Sequence, residues 1–194
     1  MCVDQSETYV EIMRAEIGEE NARIVHGDSR DLSFLKDDTV GLVVTSPPYW
    51  NKADYGGNGH NLGNLAGYRE FIRGMEPAMH ECARVLEPGR KLALVTANVN
   101  QYTDHGLLTF PLAADMLGLM RDAGLVIVAE VIWNKDGTGG KWGSWGSQRP
   151  IFGSYPFPPN LLFKTVHEHI LIAAKPPANR VRNKKALPYE DLMA

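Results

Sequence analysis

Thr45-Ser46-Pro47-Pro48-Tyr49-Trp50 sets a hydroxyl, two prolines and two aromatic rings directly behind the apolar run Val40-Gly41-Leu42-Val43-Val44. The β-branched run reads as a buried strand, and Ser-Pro-Pro cannot continue it. Each proline fixes its own φ near −65° and has no N–H to give a ladder. Each also drives the residue before it, Ser46 and then Pro47, toward extended geometry. The product is a stiff strand exit with hydrogen-bond acceptors and π faces in fixed positions. A Pro-Pro pair alone marks only a turn; the flanking Ser and Tyr-Trp give this one chemical content.

A strand must carry that exit, and the rest of the chain supplies candidates for its neighbours. Arg23-Ile24-Val25-His26 reads as a second short strand ending in Gly27-Asp28. An acid at the C-terminal edge of a parallel strand faces the crevice where ligands bind in open α/β sheets. Asp28 could equally cap a short helix over Ser29–Leu35. Further strands are expected at Lys91–Thr96, Leu125–Trp133 and Val166–Ile172. Helices are expected over Ser6–Asn21, Tyr68–Leu86 and Thr109–Ala123, with Ser6 as an N-cap, Pro77 a kink or break, and Gly124 a stop. The alternation predicts a mostly parallel α/β sheet.

The hexapeptide resembles the catalytic motif of the amino-methyltransferases, S-adenosyl-L-methionine-dependent enzymes that methylate the exocyclic amine of cytosine or adenine in DNA. That motif is [Asp/Asn/Ser]-Pro-Pro-[Tyr/Phe/Trp]. The resemblance extends to Trp133-Asn134-Lys135, to Gly143-Ser144-Trp145-Gly146-Ser147 and to His167-Glu168…Lys175. It implies a Rossmann-like methyltransferase fold and catalytic roles for Ser46, Pro47, Pro48 and Tyr49. Ser46 and Asp28 would also serve the cofactor, Asp28 through the adenine amine, as the family's Gly-Asp does. The Ser-Pro-Pro-Tyr form favours cytosine-N4 over adenine-N6, where Asp is frequent. RNA and protein-glutamine enzymes of the same chemistry more often carry Asn. The setting implied is restriction–modification, with double-stranded DNA as partner and a cytoplasmic location.

Trp50, Lys52, Lys141 and Arg149 are the residues expected to meet nucleic acid, the first pair beside the motif, the second in the Gly- and aromatic-rich stretch Asp136–Phe163. Aromatics interleaved with basic residues suit an unpaired base and its phosphate. A satellite core is the alternative. His167 and His169 share a strand face with no third ligand at metal spacing, so no metal is expected. Cys2 and Cys82 are too few for a disulfide framework, and neither follows a proline, unlike the nucleophile of cytosine-C5 enzymes.

Composition is that of one ordinary globular domain: 194 residues, 44% hydrophobic, 22% charged, net charge −3. There is no global basic signature, no basic-then-apolar leader at the start, and no apolar run of membrane-spanning length. Residues 1–175 are read as a partial catalytic domain, and 176–194, with Arg180, Arg182, Lys184 and Lys185, as a basic tail or the start of a target-recognition segment. The family's Gly-rich cofactor loop, expected C-terminal in a permuted order, is absent. About five of seven strands are therefore expected, with a second polypeptide or self-association supplying that loop. A non-catalytic nucleic-acid-binding subunit is the reading from a different class.

Overall fold

The computed structural model describes residues 1–52, 61–135 and 167–177. Its elements are β1 (Cys2–Asp4), α1 (Glu7–Ile17), β2 (Ile24–His26), β3 (Val40–Thr45), α2 (Tyr68–Val85), β4 (Leu86–Thr96), β5 (Val99–Thr103), β6 (Gly106–Phe110), α3 (Leu112–Asp122), β7 (Val126–Asn134) and β8 (His167–Ala174). β1 and β2 form a parallel pair, β5 and β6 a hairpin, and the main sheet has the order β3-β4-β8-β7. Within it β3 and β4 are parallel, while β8 runs against both β4 and β7. The α/β alternation is as expected. The two antiparallel pairings, the β1 strand and the β5–β6 hairpin were not.

One face of the main sheet packs on α2 and α3. The rows Val43-Leu92-Ala173 and Thr45-Leu94-Leu171 turn that way, and Leu92, Leu94, Leu171 and Ala173 are fully buried. They meet Phe71, Met75, Met79 and Cys82 of α2 and Met116 and Met120 of α3. Spacings of three and four put these residues on one stripe of each helix. Each large side chain so buried contributes about 1.5–3 kcal/mol. Of the expected kink or break at Pro77, the break does not occur: α2 is one helix from Tyr68 to Val85. Pro77 and Arg73 are both exposed, so water takes the carbonyl that a proline leaves without its amide partner. α3 ends at Asp122, two residues before Gly124, whose φ of 82° suits the left-handed position after a helix, and the Leu125 N–H donates to the Met120 carbonyl at 3.0 Å.

Ser29–Leu35 is a series of turns rather than the expected helix. The Asp28 and Asp31 carboxylates accept from the Arg30 and Ser33 N–H groups at 2.9 and 3.0 Å. These local bonds compete with a helical ladder. Arg84 then clamps the segment to α2. Its guanidinium donates to Glu81 at 2.7 and 2.8 Å, to Asp37 at 2.6 Å, and to the Leu32 and Leu35 carbonyls at 2.9 Å. The connection from β2 into β3 is thereby fixed. No helix among the described residues is long and apolar enough to cross a membrane.

Candidate active site

The C-terminal ends of β1, β2 and β3 converge on one cleft of about 290 Å³. β1 contributes Asp4, β2 leads into Asp28 and Arg30, and β3 delivers Thr45, Ser46, Pro47 and Pro48. Met75, Ala78, Met79 and Cys82 of α2 also line it. This is the end of an open α/β sheet at which ligands bind, and the volume lies at the lower edge of the range of about 300–1,000 Å³ for small-molecule sites.

Pro47 is buried and Ser46 exposed, so the ring anchors the exit while the hydroxyl stands at the cleft. Ser46 Oγ lies 3.4 Å from Tyr49 Oη. Tyr49 is half-buried against the core and holds its phenol toward the serine.

Asp28 lines the cleft but is already engaged. Arg30 donates Nε to Oδ1 and Oδ2 at 3.0 and 2.8 Å, and Nη2 to Oδ2 at 2.5 Å. That hydrogen bonding raises the Arg30 pKa above its usual value. A ligand N–H would have to share the Asp28 carboxylate with Arg30.

Asp4 is the acid that sequence reasoning missed. It sits at the end of β1 on the cleft wall, with Oδ1 accepting from the Ser6 N–H at 2.7 Å. The available signal was Val3-Asp4 before a Ser-capped helix: Tyr9 N–H donates to Ser6 Oγ at 3.5 Å. A three-residue strand is too short to show a period.

Trp50 is a correction. It is 4% exposed, its Nε1–H donates to the Leu65 carbonyl at 2.9 Å, and its ring packs edge-on to Tyr68 and Phe110 at centroid distances of 5.2 and 5.0 Å. No face is left for a nucleic acid. Its φ of 50° is unusual for a bulky side chain, and the buried contacts hold it there. Tyr68, next to it, donates its hydroxyl to Asp115 at 2.5 Å, and burial, with that bond, raises the phenol pKa.

Lys52 is exposed, and its ammonium donates to the Asn100 carbonyl on β5, tying the motif to the hairpin. Burial of part of the side chain lowers its pKa. Lys141 and Arg149 lie outside the described residues. Cys82 is buried, which pushes its thiol up to about 11; at neutral pH it is no nucleophile. His169 Nδ1 lies 2.6 Å from Glu130, and among the described residues no three His, Cys, Asp or Glu side chains gather as a metal site. Lys135 and Glu168, far apart in sequence, form an ion pair of 2.8 Å at the paired ends of β7 and β8.

A family model for DNA methylases of the N6/N4 type matches residues 40–193. The chain belongs to that family. Among curated relatives, the type II methyltransferase M.MthZI of Methanothermobacter thermautotrophicus is 27% identical over 79% of this chain and 44% of its own length. M.MjaI of Methanocaldococcus jannaschii is 24% identical over 87% and 60%. The chain thus spans about half the length of these relatives. Among solved structures, protein TTHA0409 of Thermus thermophilus, complexed with S-adenosyl-L-methionine, is 29% identical with a TM-score of 0.56, over 86% of this chain and 63% of that one. The cytosine-N4-specific PvuII DNA methyltransferase shares the fold at 17% identity and a TM-score of 0.52, over 78% and 49%. The architecture is the Rossmann-like methyltransferase fold.

Proposed function

We propose that this N6/N4 methylase chain carries the base-acceptor half of a DNA methyltransferase that transfers a methyl group from S-adenosyl-L-methionine to an exocyclic base amine, cytosine-N4 in preference to adenine-N6. The observation that carries the reading is the Ser46 hydroxyl standing exposed on a buried Pro47 at the strand end, across a cleft from two carboxylates. The donor set fits the nucleoside end of that cofactor. Asp4 would accept from ribose hydroxyls, as an acid at a strand end does in dinucleotide folds, and Asp28 from the adenine amine. Once bound, the cofactor supplies an electrophilic methyl on a sulfonium.

The remaining work falls to this chain. An exocyclic amine is a poor nucleophile because its lone pair is conjugated with the ring. Ser46 Oγ and the Pro47 carbonyl would accept its two N–H hydrogens, favouring a pyramidal nitrogen and aiming the lone pair out of the ring plane. This is positioning and preorganised electrostatics. The amine gains a methyl and loses one proton, which leaves along the Ser46 hydrogen bond to solvent. Tyr49 would stack on the flipped base, offsetting part of an unstacking cost of a few kcal/mol. Lys52 would meet a phosphate. Lys141 and Arg149 belong to the same proposal. Ser46, neutral where the adenine form often has Asp, supports cytosine.

Duplex DNA incubated with labelled S-adenosyl-L-methionine, followed by nucleoside analysis, tests this. The chain is assayed alone and with the polypeptides encoded on either side of it. N4-methylcytosine is the expected product; N6-methyladenine would transfer the mechanism to the other base. No methylated nucleoside in any mixture overturns the enzyme in favour of a binding subunit. Ser46→Ala is expected to lower transfer by about 10²–10³-fold with cofactor affinity nearly unchanged. Tyr49→Phe keeps most activity and Tyr49→Ala loses it; equal rates for Tyr49→Ala and wild type would exclude stacking.

A further inference from the structure

Trp50 closes the motif in a backbone conformation that its side chain does not favour. Among the described residues only Asp38 and Trp50 take a positive φ without being glycine, at 56° and 50°. A short polar side chain such as that of Asp38 can visit this region. A bulky ring does so only under strain, and such strain persists where the surroundings over-determine it, above all at functional sites. Packing alone does not call for it. Phe71, Leu92, Leu94 and Met116 reach the same buried cluster without a positive φ.

The surroundings that hold it come from several elements. The Trp50 Nε1–H donates to the Leu65 carbonyl at 2.9 Å, and the ring meets Tyr68 at the start of α2 and Phe110 at the end of β6, both edge-on. Tyr68 and Phe110 touch each other at a centroid distance of 4.8 Å, and the Tyr68 hydroxyl donates to Asp115 in the first turn of α3 at 2.5 Å. The Leu65 end is fixed in its turn. Asn61 Oδ1 accepts from the Gly63 N–H at 2.9 Å, and Leu62 is pressed against α2 at Gly74, where a Cβ would come within 2.5 Å of its Cδ2. Asn61 and Leu62 also line the cleft, so the same anchor ties the motif to a further wall of the site.

The consequence falls on Ser46 and Tyr49. Pro47 and Pro48 each fix their own φ and stiffen the chain from Ser46 up to Tyr49. Tyr49 has no ring in its backbone and keeps two soft torsions. Trp50 restrains it from the far side: with its ring locked and its φ held in the left-handed region, the peptide leaving Tyr49 has one direction. The Tyr49 phenol then stands 3.4 Å from Ser46 Oγ. We propose that Trp50 is a positioning residue for the Ser46–Tyr49 pair, acting through its left-handed backbone and its ring cluster without touching the substrate. The reaction it serves rests on the function proposed above; the geometry does not.

NMR of the chain carrying carbon-13 at the tyrosine ε positions tests the geometry without any methylation readout. An NOE between the Tyr49 Hε and Ser46 Hβ protons is expected in wild type, with Tyr49 assigned by its loss in Tyr49→Phe; its absence in wild type would overturn the proposal. Trp50→Phe keeps a ring in the cluster and is expected to keep the NOE. Trp50→Leu keeps an apolar side chain without ring or Nε1–H and is expected to lose it, while the methyl signals of Met79 and Met120 in the central cluster stay in place. An NOE retained in Trp50→Leu overturns the proposal. So does loss of the NOE together with the Met79 and Met120 signals, which makes Trp50 a core residue and nothing more. In whichever mixture wild type methylates DNA, Trp50→Leu is expected to lower kcat by about 10²-fold with the KM for DNA nearly unchanged, and Trp50→Phe to restore most of the rate. A raised KM with kcat intact overturns the positioning role. Absence of transfer by wild type itself strikes the methylation reading alone, since the NOE is read without cofactor or DNA and still decides the geometry.

Discussion

β3 and β4 are hydrogen-bonded neighbours, matched from Leu42–Thr45 to Lys91–Leu94, yet they live in different surroundings. β4 is paired on both sides and buries Leu92 and Leu94 completely under α2 and α3. Among the described residues β3 is paired on one side, and it leaves Leu42 and Val44 more than half exposed. The candidate site follows this division. Asp4, Asp28 and Ser46 all lie on the open side, whereas the closed half spends its side chains on packing. Stability and chemistry are thus carried by different parts of one sheet, and substitutions separate them.

The largest effect belongs to the closed half. Leu94→Ala deletes a fully buried side chain from the central cluster and is expected to destabilise by about 2–5 kcal/mol, read as a fall in the urea midpoint. A loss under about 1 kcal/mol would mean that this half is looser than its burial indicates. Arg84→Ala comes next. It removes the clamp on residues 32–37 and leaves Glu81 holding only the Leu32 N–H at 2.7 Å. We expect a loss of about 1–3 kcal/mol and an altered acid limb. The Arg84 hydrogen bonds lower the Glu81 pKa, so Glu81 adds stability above its unfolded-state pKa that is lost as pH falls through the folded value. Glu81→Gln should flatten that limb; an unchanged acid profile would show that the pair does no electrostatic work in the fold.

Thr96→Val has the opposite sign. Thr96 Oγ1 is buried at the end of β4 with no hydrogen-bond partner among the described residues. A methyl of the same shape removes the desolvation cost, and a gain of about 1 kcal/mol is expected, measured as a rise in Tm. Destabilisation instead would reveal a partner, such as a bound water, for that hydroxyl.

How much of this was readable in the sequence depends on how locally each feature is encoded. The Ser46–Tyr49 exit was legible because proline sets backbone geometry by itself. α2 was legible because eighteen residues give its apolar stripe several repeats. Asp4 was not, since its strand has three residues and pairs with β2 only across a helix. The helix expected over Ser29–Leu35 gave way to Asx turns and an arginine reaching from residue 84, a contact no local pattern contains. Trp50 was misjudged for a related reason. An aromatic ring after the motif is equally a stacking surface or a core residue, and only Leu65, Tyr68 and Phe110 decide between them. The strand edges left open among the described residues needed the pairing itself to be seen.

The finest probe of the division is one substitution made twice on β3. Val43 packs against the central cluster, while its neighbour Val44 points to the opposite face and is 67% exposed. Val43→Thr puts a hydroxyl into an apolar setting and is expected to cost about 1–2 kcal/mol. Val44→Thr in the isolated chain should stay within about 0.5 kcal/mol of wild type, because its hydroxyl meets water. Urea unfolding of the two variants gives the comparison directly. If Val44→Thr costs as much as Val43→Thr, that face of β3 is covered in solution and the open half is open only on paper. If the costs differ as expected, the two faces of β3 are closed and open in solution as their packing indicates, and the division between stability and chemistry runs through this one strand.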